Sequence, residues 1–76
     1  MTNHDVADVI ADVWADLLGT TEISRDAGFF DLGANSVLLT QAIARLRTHW
    51  PRLRVVDAFA NPSVDALARF IESTQP

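Results

Sequence analysis

Val6-Ala7-Asp8-Val9-Ile10-Ala11-Asp12-Val13-Trp14-Ala15-Asp16-Leu17-Leu18 decides the fold class. Val6, Val9, Ile10, Val13, Trp14, Leu17 and Leu18 fall at i, i+3, i+4, i+7, i+8, i+11 and i+12, which places them on one stripe of a 3.6-residue helix. Asp5, Asp8, Asp12 and Asp16 occupy the other side. Thr2 or Asn3 is available as an N-cap, and Gly19 stands where a left-handed residue ends a helix, so a helix is predicted over about 4–18. Trp14 lies on the apolar stripe and is assigned to the core, not to a ligand.

Beyond Gly19 the helical period is lost. Thr20-Thr21-Glu22, Ser24-Arg25-Asp26, Gly28 and Gly33 mark a long connection running to Asn35. Loops of that length in small domains tend to carry function, and Ile23, Phe29, Phe30 and Leu32 are the apolar residues that would anchor this one. A second helix is predicted from Asn35 or Ser36, with Leu39, Ile43, Leu46 and Trp50 along one stripe, ending before Pro51. At about 100° per residue, Val37 lies roughly 160° from Leu39, beside Gln41 and Ala44 on the solvent side. Arg52-Leu53-Arg54-Val55-Val56-Asp57-Ala58-Phe59-Ala60 is long enough only for a helix of one or two turns ending near Ala60, with Phe59 read as core. Asn61-Pro62-Ser63 then opens a further helix whose stripe is Val64, Leu67, Ala68 and Ile71. The order is helix, long loop, helix, short helix, helix, without internal repeat or domain boundary, so residues 1–76 form one all-α domain.

Composition narrows the chemistry. The chain has 76 residues, 49% apolar and 21% charged, which suits one small soluble domain without room for a deep substrate cavity. Cysteine is absent and His4 and His49 lie far apart, so no metal-binding pattern is present. Lysine and tyrosine are absent too, which removes a Schiff-base amine and a phenolic acid. The net charge is −4, the wrong sign for gripping phosphate backbones, and nucleic acid is disfavoured as a partner. The acids concentrate in residues 1–35 and the arginines in residues 36–76. No positive leader precedes an apolar stretch and no run reaches membrane-spanning length, so a cytoplasmic protein with no membrane partner is expected.

One segment remains to carry a function: Gly28-Phe29-Phe30-Asp31-Leu32-Gly33-Ala34-Asn35-Ser36-Val37-Leu38-Leu39. It delivers a serine to the start of a helix, and the plainest reading of Ser36 is an N-cap whose hydroxyl satisfies an orphan amide. Residues 29–38 within it resemble the phosphopantetheine attachment segment of peptidyl and acyl carrier proteins. The likeness runs along nearly the whole chain, through Leu17-Leu18-Gly19, Ala44-Arg45-Leu46, Val56-Asp57-Ala58-Phe59 and Asn61-Pro62-Ser63-Val64-Asp65-Ala66-Leu67-Ala68.

The resemblance implies a four-helix bundle with a long first loop and a short third helix, and a non-catalytic role. It implies that a separate phosphopantetheinyl transferase attaches 4′-phosphopantetheine from coenzyme A to the Ser36 hydroxyl. Further partners follow: an adenylating or acyl-transferring enzyme, and downstream condensation, tailoring or thioesterase enzymes. Val37, Leu38 and Gln41 are the residues implied as partner contacts, and a monomer is expected. Two positions depart from the family pattern. Ala34 stands where a second glycine is common, which indicates no left-handed conformation there, and Asn35 stands where Asp or His often precedes the serine. The second helix carries Arg45 and Arg47 and no acid, which favours a peptidyl carrier over a fatty-acid-type one, with an acyl carrier of a polyketide or hybrid pathway as the alternative. Met1 directly before the first helix suits a discrete carrier, although an excised domain would read alike. The rivals are a passive helical adaptor with Ser36 as a mere cap, a helix-turn-helix DNA binder built on Arg45, Arg47, Arg52 and Arg54, and a hydrolase using Ser36, for which no His stands at a recognisable motif spacing.

Overall fold

In a computed structural model, residues 6–74 are described; His4, Asp5 and the proposed Thr2 or Asn3 cap lie outside them. The predicted apolar stripes become four helices: α1 (Val6–Leu18), α2 (Ser36–Leu46), α3 (Val55–Ala60) and α4 (Val64–Thr74). Ile10 and Trp14 of α1, Leu39, Ile43 and Leu46 of α2 and Val64, Leu67 and Ile71 of α4 meet in one core. α1 packs against both α2 and α4, and α3 packs against α2. Each fully buried Leu or Ile stabilises this arrangement by about 1.5–3 kcal/mol. Among the described residues no helix is long and apolar enough to cross a membrane.

Two helix ends follow from local chemistry. Gly19 adopts φ +70° and the Thr20 amide donates to the Ala15 carbonyl at 3.0 Å, the six-to-one bond that closes a helix at a left-handed glycine. Ser63 caps α4: its Oγ accepts from the Ala66 amide at 3.1 Å.

α2 ends at Leu46, four residues short of the predicted stripe. Pro51 has no N–H to offer the Arg47 carbonyl, and its ring would clash with that carbonyl in a continuing helix. The chain instead tightens into i→i+3 turns, with the Thr48 amide on Arg45 O and the His49 amide on Leu46 O. Arg47 Nε donates to Leu53 O at 2.6 Å, which turns the chain back and buries Leu53. Trp50 is only half-buried.

The connection from 19 to 35 is held at defined points. Phe29 is fully buried and stacks on Trp14 with ring centroids 4.5 Å apart. The Phe29 amide donates to Pro62 O at 2.7 Å, and the Asp65 amide donates to Arg25 O at 3.0 Å. These bonds fix the loop to the α3–α4 junction, where Gly28 and Ser63 form an isolated antiparallel bridge. Arg25 also pairs with Asp8 of α1. The loop is therefore anchored, as its apolar residues suggest, but not by all of them.

Phe30 is 46% exposed, because neighbouring side chains in a tight turn cannot both reach the same core. Phe59, expected inside, is 48% exposed and stacks on Phe30 at 5.9 Å. The reason lies in the phase of α3. The Asp57 carboxylate accepts from the Arg54 amide at 2.9 Å, which draws Asp57 inward, so that Ala58 is buried and Val56 and Phe59 face out.

The two adjacent phenylalanines should thus respond differently to truncation. Phe29→Ala is expected to cost about 3–5 kcal/mol, enough to unfold much of so small a domain, whereas Phe30→Ala should cost under about 1 kcal/mol because half its ring is already in water. Urea denaturation followed by far-ultraviolet circular dichroism measures both; equal losses would contradict the assigned anchor.

Candidate functional site

Residues 28–35 fold into a compact turn that hands the chain to α2. The amides of Leu32 and Ala34 both donate to Phe29 O, at 3.1 and 3.2 Å, and the Gly33 amide donates to Phe30 O at 3.1 Å. Gly33 has φ +101°, the left-handed region that disfavours a side chain, whereas Ala34 does not. Ala34 is buried and fastens the last residue before the site to the core. The conformational demand for glycine in this turn therefore falls on Gly33, and alanine fits the next position without strain.

Asn35, not Ser36, is the N-cap. Its backbone is extended, at φ −131° and ψ −179°, and its Oδ1 accepts from the Leu38 amide at 2.9 Å. The Leu39 amide then makes the first backbone bond of the helix, to Asn35 O at 2.9 Å. The N-cap reading of Ser36 is corrected accordingly: Ser36 is the first residue of α2. A competent cap one position earlier has taken that role.

This leaves Ser36 exposed, and its hydroxyl has no hydrogen-bonding partner among the described residues. The amides of Ser36 and Val37 precede the first helical bond, and no acid stands in the first turn of α2. An exposed hydroxyl beside free amides at the positive end of a helix dipole is suited to carry an anionic ester. The residues present therefore fit a phosphodiester-linked group. Thr40 Oγ1 donates to Ser36 O at 2.9 Å, which ties the serine's carbonyl into the following turn.

Of the neighbouring residues singled out in the sequence, Val37 is 65% exposed and Gln41 is exposed, as their helical phase predicts. Leu38 is half-buried and packs on the core, so it shares its surface between fold and solvent. The stacked pair Phe30–Phe59 and the adjacent Val56 form further exposed apolar surface. Sequence reasoning missed this pair, since only the phase of α3 exposes Phe59.

Comparison with known proteins agrees with the geometry. The family model for the phosphopantetheine attachment site matches residues 8–71. Phenyloxazoline synthase MbtB of Mycolicibacterium paratuberculosis is 44% identical over 69 residues, covering 87% of this chain and 6% of that protein. Surfactin synthase subunit 2 of Bacillus subtilis is 31% identical over 71 residues, covering 93% of this chain and 2% of that protein. The chain thus spans only a small fraction of the curated relatives it matches. A chain in the structure of the phosphopantetheine transferase Sfp in complex with coenzyme A and a peptidyl carrier protein superimposes with a TM-score of 0.83 and 26% identity, covering 96% of this chain and 95% of that one. The match across most of the chain, on a bundle that presents a free serine hydroxyl at a helix start, places this protein in the phosphopantetheine attachment-site family, as an all-α carrier (thiolation) domain whose prosthetic group is 4′-phosphopantetheine.

Proposed function

We propose that Ser36 Oγ is the attachment point of the phosphopantetheine arm, and that the domain carries an aminoacyl or peptidyl group in nonribosomal peptide or related secondary-metabolite synthesis. The observation that carries the assignment is the unengaged Ser36 hydroxyl at the first residue of α2, with Asn35 performing the cap. When bound, the arm supplies a terminal thiol that holds the acyl group as a thioester. The chain's own residues contribute placement. Asn35 and the turn over 29–34 fix the serine, the amides of Ser36 and Val37 face the anionic ester, and Val37 and Gln41 leave the surface beside it open.

The domain is read as non-catalytic. Among the described residues no His, Asp or Glu hydrogen-bonds Ser36, so the base for attachment is assigned to a phosphopantetheinyl transferase. Loading is assigned to an adenylating enzyme and consumption to condensation, tailoring or thioesterase enzymes, with the carrier itself a monomer. The peptidyl reading is supported by the likeness to the peptidyl carrier protein complex and by an α2 that carries Arg45 and no acid in its first turn. Val37, Leu38 and Gln41 form the proposed docking patch, small enough for partners that must exchange.

Intact mass after incubation with a broad-specificity phosphopantetheinyl transferase, magnesium and coenzyme A tests the attachment site. Wild type should gain one phosphopantetheinyl increment and Ser36→Ala none; an increment on both would move the site elsewhere, and none on a folded wild type would return the protein to the adaptor reading. For the docking patch, Val37→Asp should leave the fold intact, since the residue is exposed, yet lower loading or downstream transfer by about tenfold, the effect of losing one anchor worth roughly 1.4 kcal/mol. Wild-type rates at both steps would remove Val37 from the interface.

A further inference from the structure

We infer that Asn35 is a positioning residue: by holding the N-cap of α2 it keeps the adjacent Ser36 inside the helix with its hydroxyl free, and without it the helix start slips by one residue and Ser36 becomes the cap. The inference rests on Ser36 being the attachment point. Asn and Ser have nearly equal preference for the N-cap, far above that of Ala, so two neighbouring residues of this chain compete for one role. The structure shows which wins: Asn35 Oδ1 holds the Leu38 amide at 2.9 Å and Asn35 O holds the Leu39 amide at 2.9 Å. The chain up to that point is pinned by buried Ala34, whose amide donates to Phe29 O at 3.2 Å, so the contest is confined to residues 35 and 36.

Slipping by one residue is a local change. Ser36 would take the extended backbone of a cap, its Oγ would accept from the Leu38 or Leu39 amide, and the bond from the Leu39 amide to Asn35 O would be lost. The next turn is already prepared, because Ser36 O accepts from Thr40 Oγ1 at 2.9 Å. In that register the hydroxyl is engaged and displaced from the place a transferase must find it. With Ala at position 35 no side chain there can accept, and the slip recovers a cap that would otherwise be missing.

The test compares Asn35→Ala, Asn35→Ser and Ser63→Ala with wild type, by steady-state transferase kinetics and by backbone chemical shifts of isotopically labelled protein. Asn35→Ala should raise the apparent KM of the carrier about fivefold with kcat unchanged, because a smaller fraction presents the free hydroxyl. Its Ser36 shifts should move from helical to extended values. Asn35→Ser, a neutral residue of equal cap strength, should restore both. Ser63→Ala removes a cap of the same kind from α4 and should lower stability without moving KM, which separates positioning from loss of stability. Helical Ser36 shifts in Asn35→Ala, or an unchanged KM with wild type modified at Ser36, would overturn the inference. A wild type that gains no increment at all would overturn the attachment role and the positioning role together, while the shifts still decide which residue holds the cap.

Discussion

The contact between Trp14 and Phe29 sits where α1, the long connection, the α3–α4 junction and the turn before α2 come together. The Phe29 ring lies on α1 through Trp14, its amide reaches Pro62 between α3 and α4, and its carbonyl receives the amides of Leu32 and Ala34 in its own turn. Phe29 thus fixes the later half of the long connection, from which the position of the α2 start follows, while Arg25 holds the earlier half. The contact carries a cost, since Trp14 Nε1 is buried without a partner, a penalty of about 1–3 kcal/mol. An indole buries on the order of 150–250 Å², which at about 25 cal/mol per Å² is roughly 4–6 kcal/mol. Apolar burial outweighs the penalty, and the unsatisfied donor is tolerated.

The helices were legible in the sequence wherever one apolar stripe had to face one core. α1 and α4 show this most plainly, because Ile10 and Trp14, and Val64, Leu67 and Ile71, satisfy the 3.6-residue period and are all buried. Legibility fell where the period was shared by two outcomes. The segment 55–60 holds apolar residues at five of six positions, so periodicity cannot choose its inward face. A polar contact chooses it, the Asp57 carboxylate on the Arg54 amide, and Phe59 turns outward in consequence. The end of α2 was obscured for a related reason: Trp50 sits in phase with Leu46 and its amide still donates to Leu46 O at 2.9 Å, yet the turns between them tighten to i→i+3 ahead of Pro51, which offers no donor to Arg47 O.

At the site, residue order pointed to Ser36 and helical phase placed Val37 and Gln41 toward solvent. What the sequence left open was the assignment of the cap between Asn35 and Ser36, since either side chain is competent and their propensities are nearly equal. The choice depends on where the preceding turn releases the chain, which is set by Gly33 at φ +101° and by the burial of Ala34. The glycine is visible in the sequence, but the burial of Ala34 is a tertiary fact that the local pattern does not encode.

Tertiary contacts also account for the arginines that suggest a nucleic-acid surface. Arg45 pairs with Asp16 of α1, Arg47 donates to Leu53 O, and Arg54 lies 3.4 Å from Asp57. Three of the four cations between 45 and 54 are therefore engaged within the fold, where exposed pairs such as Arg45–Asp16 contribute at most about 1 kcal/mol each. Only Arg52 stands without a partner among the described residues of that stretch, too little positive charge to hold a polyanion against a net charge of −4. Of these arginines, Arg45 joins α1 to α2, and Arg47 and Arg54 shape the turn before α3. The first turn of α2 carries no acid, and the helix amides are the local source of positive potential there.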